Sequence, residues 1–289
     1  MELYSLQVFL TVATEKSFSR AAEKLLRTQP AVSLGLQRLE QELGEKLIDR
    51  TGKDLILTDA GRTVLDYARR FQSLRQELDN ALAELRDNSA GRLIIGANES
   101  TSLYLLRHIE RYRELYPKVK VQVRRSLSSK IPNELLDGNL ELGVISYDPG
   151  DERLKSKVIY TDALALVVSP RHRLARRKTV SITELGAETF IAHNVVSPYR
   201  EVVLREFQAH KVPLQMPVEM PTIETIRKMV QNNQGVAFVP RMCVEQEIEQ
   251  KTLCEVKVKE LHVERKIRLV YPTRRALSHA AKAFLDVVG

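Results

Sequence analysis

The sequence predicts an all-α winged helix-turn-helix at the N-terminus, then one long linker helix, then an α/β domain of two lobes. Three observations predict it. Apolar residues recur at helical spacing in three short segments before Gly44, and two short β-prone runs around a polar tip follow. Between residues 58 and 86 the apolar positions step by three and four with no proline. From Leu93 onward, short apolar runs alternate with amphipathic stretches, the pattern of strands and crossover helices. The expected boundaries are 1–58 for the winged module and 59–89 for the linker helix and hinge. The α/β domain takes 90–289, with lobe I at about 90–160 and 268–289 and lobe II at about 161–267.

The first helix is read from Leu6, Phe9, Leu10 and Ala13 within residues 3–15. A second, short helix follows Ser17 or Ser19, either of which suits an N-cap. Its small pair Ala21-Ala22 lets another helix cross closely. After a tight turn at Arg27-Thr28, Thr28 is placed to cap a third helix with Pro30 in the first turn, where a missing N–H costs nothing. Val32, Leu36, Leu39 and Leu43 give that helix an inner stripe, and Gly44 stops it. The opposite face offers Thr28, Gln29, Pro30, Ser33, Gln37 and Arg38. Short polar groups at a helix N-terminus suit base edges and phosphates, and glutamine pairs well with adenine. Leu47–Arg50 and Leu55–Leu57 read as a β-hairpin, a wing whose Arg50 and Lys53 are placed for phosphate or the minor groove. The plain alternative is three packed helices with no nucleic-acid role.

Thr58 is expected to cap the long helix, with Asp59 favourable in its first turn. Phe71, Leu74, Leu78, Leu82 and Leu85 form a short coiled-coil stripe. It suits pairing with a second copy or packing on the helix's own chain. Asp87–Gly91 is small and polar, and the hinge is placed there.

In the α/β domain, strands are expected at Leu93–Gly96, Val119–Val123, Leu142–Ile145, Leu164–Val168, Phe190-Ile191, Val236–Val239 and Ile267–Tyr271. Helices are expected at Leu103–Tyr116 and Ile131–Leu136. The alternation implies parallel sheets around a cleft, with ligands beyond the C-terminal strand ends. That rule selects Ser100, Thr101 and Ser102 after the first strand, Ser128 after the second and Ser146 after the third. In the second lobe it selects His193, Arg200 and Thr222. Hydroxyls and helix N–H groups there suit a carboxylate, phosphate or sulfate, although Ser and Thr also cap helices everywhere. Glu99 opposes an anion unless Arg200 or another cation neutralises it, and would otherwise favour a cationic or amide-bearing ligand.

The segments Phe18–Leu25, Thr28–Ser33, Arg38-Leu-Glu, Leu43-Gly, Leu47–Arg50 and Leu57–Gly61 together resemble the LysR-type transcriptional regulators. Leu136–Val144 and Gly235–Pro240 extend the resemblance, less specifically. Two departures are a conservative Ile48 in place of the usual Phe, and Leu34-Gly35 where many members carry polar or basic residues. The resemblance implies a periplasmic-binding-protein-like effector domain whose small metabolite changes DNA bending at the promoter. It also implies a homodimer or homotetramer built through the linker helix, an interrupted palindromic site on double-stranded DNA, and RNA polymerase as a further partner.

Composition is ordinary for a globular protein: 289 residues, 43% hydrophobic and 28% charged. The net charge of +8 is not concentrated on the winged module. Residues 1–89 hold 13 basic and 14 acidic side chains, the remainder 32 and 23, so the nucleic-acid reading rests on geometry and not on bulk charge. No apolar window is long enough for a membrane span, and Met1–Tyr4 does not open a signal peptide, so a cytoplasmic protein is expected. The six histidines show no metal-ligand spacing, and neither a Walker loop, a G-x-S-x-G elbow nor a dinucleotide fingerprint occurs. No enzyme activity, metal or cofactor is therefore expected. Arg171–Lys178 reads as a solvated basic turn. Cys243 and Cys254 would form a redox switch only if both were exposed with lowered pKa. A solute-binding transport component would share the two-lobed fold but not the N-terminal module.

Overall fold

The structure is a computed structural model that describes residues 2–49, 55–86, 91–195 and 197–289. Its contacts fall into two units, Met1–Gly91 with Asn133–Leu140, and Arg92–Pro132 with Glu141–Gly289.

In the first unit, α1 (Leu3–Glu15), α2 (Phe18–Leu25) and α3 (Gln29–Leu43) close around Val8, Phe9, Val12, Ala21, Val32, Leu36 and Leu39, all fully buried. Ser17 caps α2 by accepting from the Arg20 N–H. Leu26 ends that helix in the left-handed region at φ 53°, and Gly44 ends α3 at φ 72°. Thr28 occupies the N-cap position of α3, but its side chain makes no capping hydrogen bond.

On α3 the expected inner place of Leu43 is corrected, and Gly35 lies on the inner face. A Cβ there would stand 3.3 Å from Val8 Cγ2, so glycine allows α1 and α3 to pass closely. Leu43 is 37% exposed, and the last inner place belongs to Glu40 instead. The Glu40 carboxylate accepts from the Leu47 N–H at 2.9 Å and from Lys46 Nζ at 3.1 Å, which ties α3 to the start of the wing.

The wing pairs β1 (Ile48–Asp49) with β2 (Ile56–Leu57) antiparallel, Ile48 opposite Leu57. Thr58 then opens α4 (Asp59–Arg86). Its N–H donates to the Leu47 carbonyl at 3.1 Å, its hydroxyl donates to the Lys46 carbonyl at 2.6 Å, and the same oxygen accepts from the Gly61 N–H at 2.9 Å. Leu65 and Ala68 join α4 to the helical core.

From residue 91 the chain runs β3 (Gly91–Ala97), α5 (Glu99–Leu115), β4 (Val119–Arg125), α6 (Ile131–Leu136), β5 (Leu142–Ile145), β6 (Leu154–Val168), β7 (Thr179–Val180) and β8 (Thr189–His193). It continues through α7 (Pro198–Ala209), β9 (Gln215–Met220), α8 (Ile223–Gln231), β10 (Ala237–Pro240), α9 (Glu245–Glu249), β11 (Cys254–Val258), β12 (Glu264–Pro272) and α10 (His279–Val288).

One sheet has the order β4-β3-β5-β12-β6-β11-β7, with β10 also on β6, while β8 and β9 pair separately. The expectation of parallel sheets is only partly right. β3/β5, β7/β11 and β8/β9 are parallel, but β12 is antiparallel to β5 and β6, and β10 and β11 are antiparallel to β6. The reason is connectivity. Every antiparallel pair of this sheet involves β6 or β12, the two strands of the alternation that no crossover helix precedes.

β6 passes from one core to the other, and β12 lies along its first part. At one end lie Leu93, Ile95, Leu105, Tyr112, Leu142, Ile267 and Phe284. At the other lie Leu166, Val168, Phe190, Val203, Phe207 and Val236. The β6/β12 register shifts between Ile267 and Arg268, within the first core, which holds both Ile267 and Leu269.

Candidate DNA-reading face and effector cleft

On the first unit, Thr28, Gln29, Pro30, Gln37 and Arg38 are exposed and Ser33 is half-buried. They form one arc of α3 opposite the buried stripe. Leu34, 48% exposed, interrupts that arc. Since Thr28 does not cap with its side chain, the first turn keeps backbone N–H groups open to an incoming phosphate. The expected wing contacts Arg50 and Lys53 lie outside the described residues. On α4, Phe71, Leu74, Leu78 and Leu82 are exposed by 43%, 62%, 58% and 44%. The side chain of Leu85 lies outside the described residues.

The second unit contains a cavity of about 910 Å³. It opens at the C-terminal ends of β3, β4, β5 and β8, so one wall carries Asn98–Ser100, Arg125–Ser129 and Ser146-Tyr147. The other carries Ile191–His193, Ser197–Arg200, Ile223, Ile226 and Phe238–Pro240. Of the residues selected by sequence, Ser100, Ser128, Ser146, His193 and Arg200 come together here.

Thr101, Ser102 and Thr222 lie outside the lining because local structure uses them. The fully buried Thr101 donates to the Val144 carbonyl at 3.1 Å and completes a capping box with Asn98. Ser102 donates to the Asn98 carbonyl at 2.7 Å, and Thr222 accepts from the Thr225 N–H at 3.2 Å. Helix α5 accordingly begins at Glu99, a full turn earlier than the apolar spacing suggested.

The electrostatics of the cavity are mostly settled internally. Glu99 is not neutralised by Arg200. Its Oε1 accepts from the Ile223 N–H at 2.9 Å, at the N-terminus of α8, and its Oε2 lies 3.6 Å from His193 Nε2. Arg200 instead pairs with Glu219 at 2.6 Å and donates to the His193 carbonyl at 3.0 Å. Sequence reasoning missed the central cation, Arg265. It is 3% exposed, pairs with buried Asp162, donates to Ser100 Oγ at 3.2 Å and lies 4.9 Å from the centroid of the Tyr199 ring. Tyr199 donates to the Ser146 carbonyl, and Tyr147 to the Ser128 carbonyl at 3.1 Å. Burial pushes the Tyr147 phenol up, which keeps it a donor. Arg265 and Asp162 stand 103 residues apart, so no local pattern joins them.

Residues 3–62 match the family model for bacterial regulatory helix-turn-helix proteins of the lysR family, and residues 86–289 match that for the LysR substrate binding domain. A Synechocystis sp. protein named "Probable RuBisCO transcriptional regulator" is 32% identical over 293 residues, covering 99% of this chain and 85% of the relative. One of the same name from Trichormus variabilis is 32% identical over 289 residues, covering 98% and 86%. The chain belongs to the LysR family of transcriptional regulators. It is a DNA-binding regulator with a C-terminal effector-binding domain.

Solved structures share the LysR fold at lower identity. CbnR, a LysR family transcriptional regulator, has a TM-score of 0.75 at 18% identity, covering 100% of this chain and 98% of its own. A full-length OxyR variant from Pseudomonas aeruginosa has 0.72 at 21%, covering 100% and 94%. The regulatory domain of Synechocystis CcmR in complex with 2-PG has 0.62 at 20%, covering 68% and 95%.

Within this LysR chain, Ile48 at the family's Phe place is buried in the helical core, and Glu40 of the Arg38-Leu-Glu motif is the buried tie to the wing. Both cysteines are free. Burial pushes the Cys243 thiol up to about 12, the reverse of what a redox switch needs. Among the described residues, no group of three or more His, Cys, Asp or Glu is placed to hold a metal ion, and no helix is long and apolar enough to cross a membrane.

Proposed function

We propose that this LysR-family regulator acts in the cytoplasm as a homodimer, or a tetramer of two such dimers, on an interrupted palindromic promoter site, where it also engages RNA polymerase. Thr28, Gln29, Pro30, Ser33, Gln37 and Arg38 read the major groove, and Arg50 and Lys53 of the wing touch phosphate or the minor groove. Pairing runs through Phe71, Leu74, Leu78, Leu82 and Leu85. A small metabolite seated among Ser100, Ser128, Ser146, His193 and Arg200 controls promoter binding or bending. The 2-PG complex of CcmR supports a small-molecule effector in a fold of this kind, and the complex of CbnR with its target DNA supports the DNA half. The observation that carries the reading is the outer arc of α3, mostly polar and exposed, against the fully buried Val32, Leu36 and Leu39.

Footprinting of the full-length protein on upstream promoter fragments tests it. Ser33→Arg and Gln29→Ala should each weaken the specific footprint by about 5- to 100-fold, as expected for one lost base contact, with the oligomer unchanged. Ser128→Phe should remove the metabolite response and keep the footprint. An unaltered footprint in both α3 variants would mean that α3 does not face DNA.

A further inference from the structure

The cavity has two chemically different walls. The strand ends of the first lobe supply mostly polar groups, Asn98, Ser100, Ser128, Ser129 and Tyr147, with Leu127 beside them. The second lobe supplies, besides His193 and Ser197–Arg200, the apolar Leu164, Phe190, Val203, Leu214, Met216 and Phe238. Phe190 and Val203, only 3% and 4% exposed, belong to the lobe's own hydrophobic core, and the other four are partly buried against it. The cavity is therefore not just a polar slot between lobes. One end of it borders that core, and only apolar atoms are well accommodated against such a surface.

Charge limits the other end. The guanidinium of Arg265 is matched by Asp162, and that of Arg200 by Glu219. Arg125 is exposed at the mouth and, among the described residues, has no acidic partner. The Glu99 carboxylate lines the same cavity, already committed to the Ile223 N–H and facing His193. A dianion would meet one uncommitted cation and one fixed carboxylate; a single negative charge beside Arg125 and the Ser129 hydroxyl is balanced.

Resting on the reading of this cleft as the effector site, we propose that the effector is an amphipathic monocarboxylate. Its carboxylate lies at Arg125 and Ser129, and an apolar body of about six to eight carbons, a size suited to a cavity of this class, lies against the second lobe's core.

Calorimetric titration of the full-length protein with butyrate, hexanoate and octanoate, against inorganic phosphate and phosphoglycolate, tests this. Affinity should rise about fourfold per added methylene along the carboxylate series. Leu214→Trp and Met216→Trp each fill the apolar end. Each should weaken octanoate at least about tenfold while changing butyrate by less than about twofold, since only the longer chain buries methylenes there. Arg125→Gln should weaken all three carboxylates by a similar factor. Thermal melts and promoter binding show which tryptophan variant is folded, and either one suffices.

A flat chain-length series, no binding of octanoate, or tighter binding of phosphate or phosphoglycolate than of octanoate would each overturn the amphipathic ligand. If phosphoglycolate binds instead and Ser128→Phe abolishes it, the cleft reading stands without this inference. If bound ligands of either kind are indifferent to Ser128→Phe, the cleft reading itself fails.

Discussion

Two glycines in the first unit carry different constraints, and substitution separates them. At Gly44 the backbone is left-handed at φ 72° with nothing within 4 Å of an added Cβ. Alanine there meets only a conformational cost, about 1 kcal/mol. At Gly61 the helix is ordinary but the space is gone: an added Cβ would stand 2.0 Å from the Leu47 carbonyl oxygen. The cause is Thr58, whose two bonds to residues 46 and 47 draw the first turn of α4 onto the wing. Gly61→Ala should therefore lower the stability of the N-terminal unit by about 3 kcal/mol, read as a urea midpoint followed by loss of promoter binding. A cost no greater than that of Gly44→Ala would mean that α4 can slide off the wing. Gly44 was legible in the sequence because a glycine after a helical stripe is a local stop signal. Gly61 was legible only as a letter in a family motif, because what crowds it is a carbonyl fourteen positions away. Glu40 was missed for a similar reason: a glutamate on a helix reads as solvated until the N–H groups that it satisfies are in place.

At the scale of elements, the two lobes depend on β6 and β12. Only the last third of β6 reads as a strand, since Lys155, Ser156 and Lys157 give its beginning no apolar run. The short strands and the helix α6 were readable from apolar runs, but pairing direction was not, because an apolar run does not reveal which strand it will lie beside. Pairing direction also decides the site: β12 running antiparallel to β6 brings Arg265 opposite Asp162. Both are at most 5% exposed, and Asp162 also accepts from the Met242 N–H at 3.1 Å. Removing one partner leaves a charge in the core. Asp162→Ala should destabilise the effector domain by about 3–5 kcal/mol, whereas Asp162→Leu with Arg265→Met should recover most of that. Thermal melts of Asp162→Leu, Arg265→Met and the double form the cycle. Strict additivity would show that the charges do not depend on each other, and the pair would then have no part in holding Ser100 and the cavity floor.

The molecule as a whole is explained only if α4 meets something. One exposed leucine is ordinary, but Phe71, Leu74, Leu78 and Leu82 lie on one stripe of one helix with roughly half of each side chain exposed. The stripe steps by three and four, as a helix pair requires, and a second copy of the same helix is its simplest complement. The charge distribution points the same way. With residues 1–89 near electrical neutrality, a single winged module gains little from general attraction to phosphate, and useful affinity must come from two modules bound together. Leu74→Glu with Leu78→Glu places like charges along the stripe. The double variant should sediment as a chain of 33.0 kDa and not as a dimer. On a two-half-site promoter fragment its affinity should fall by about 10²- to 10⁴-fold, the loss expected when linked binding becomes independent. On a single half-site it should bind as the parent does, because α3 is untouched. If the parent chain also sediments at 33.0 kDa, α4 covers its stripe with some other surface. If the variant stays dimeric, the interface lies in the effector domain, and the spacing of half-sites must be set from there.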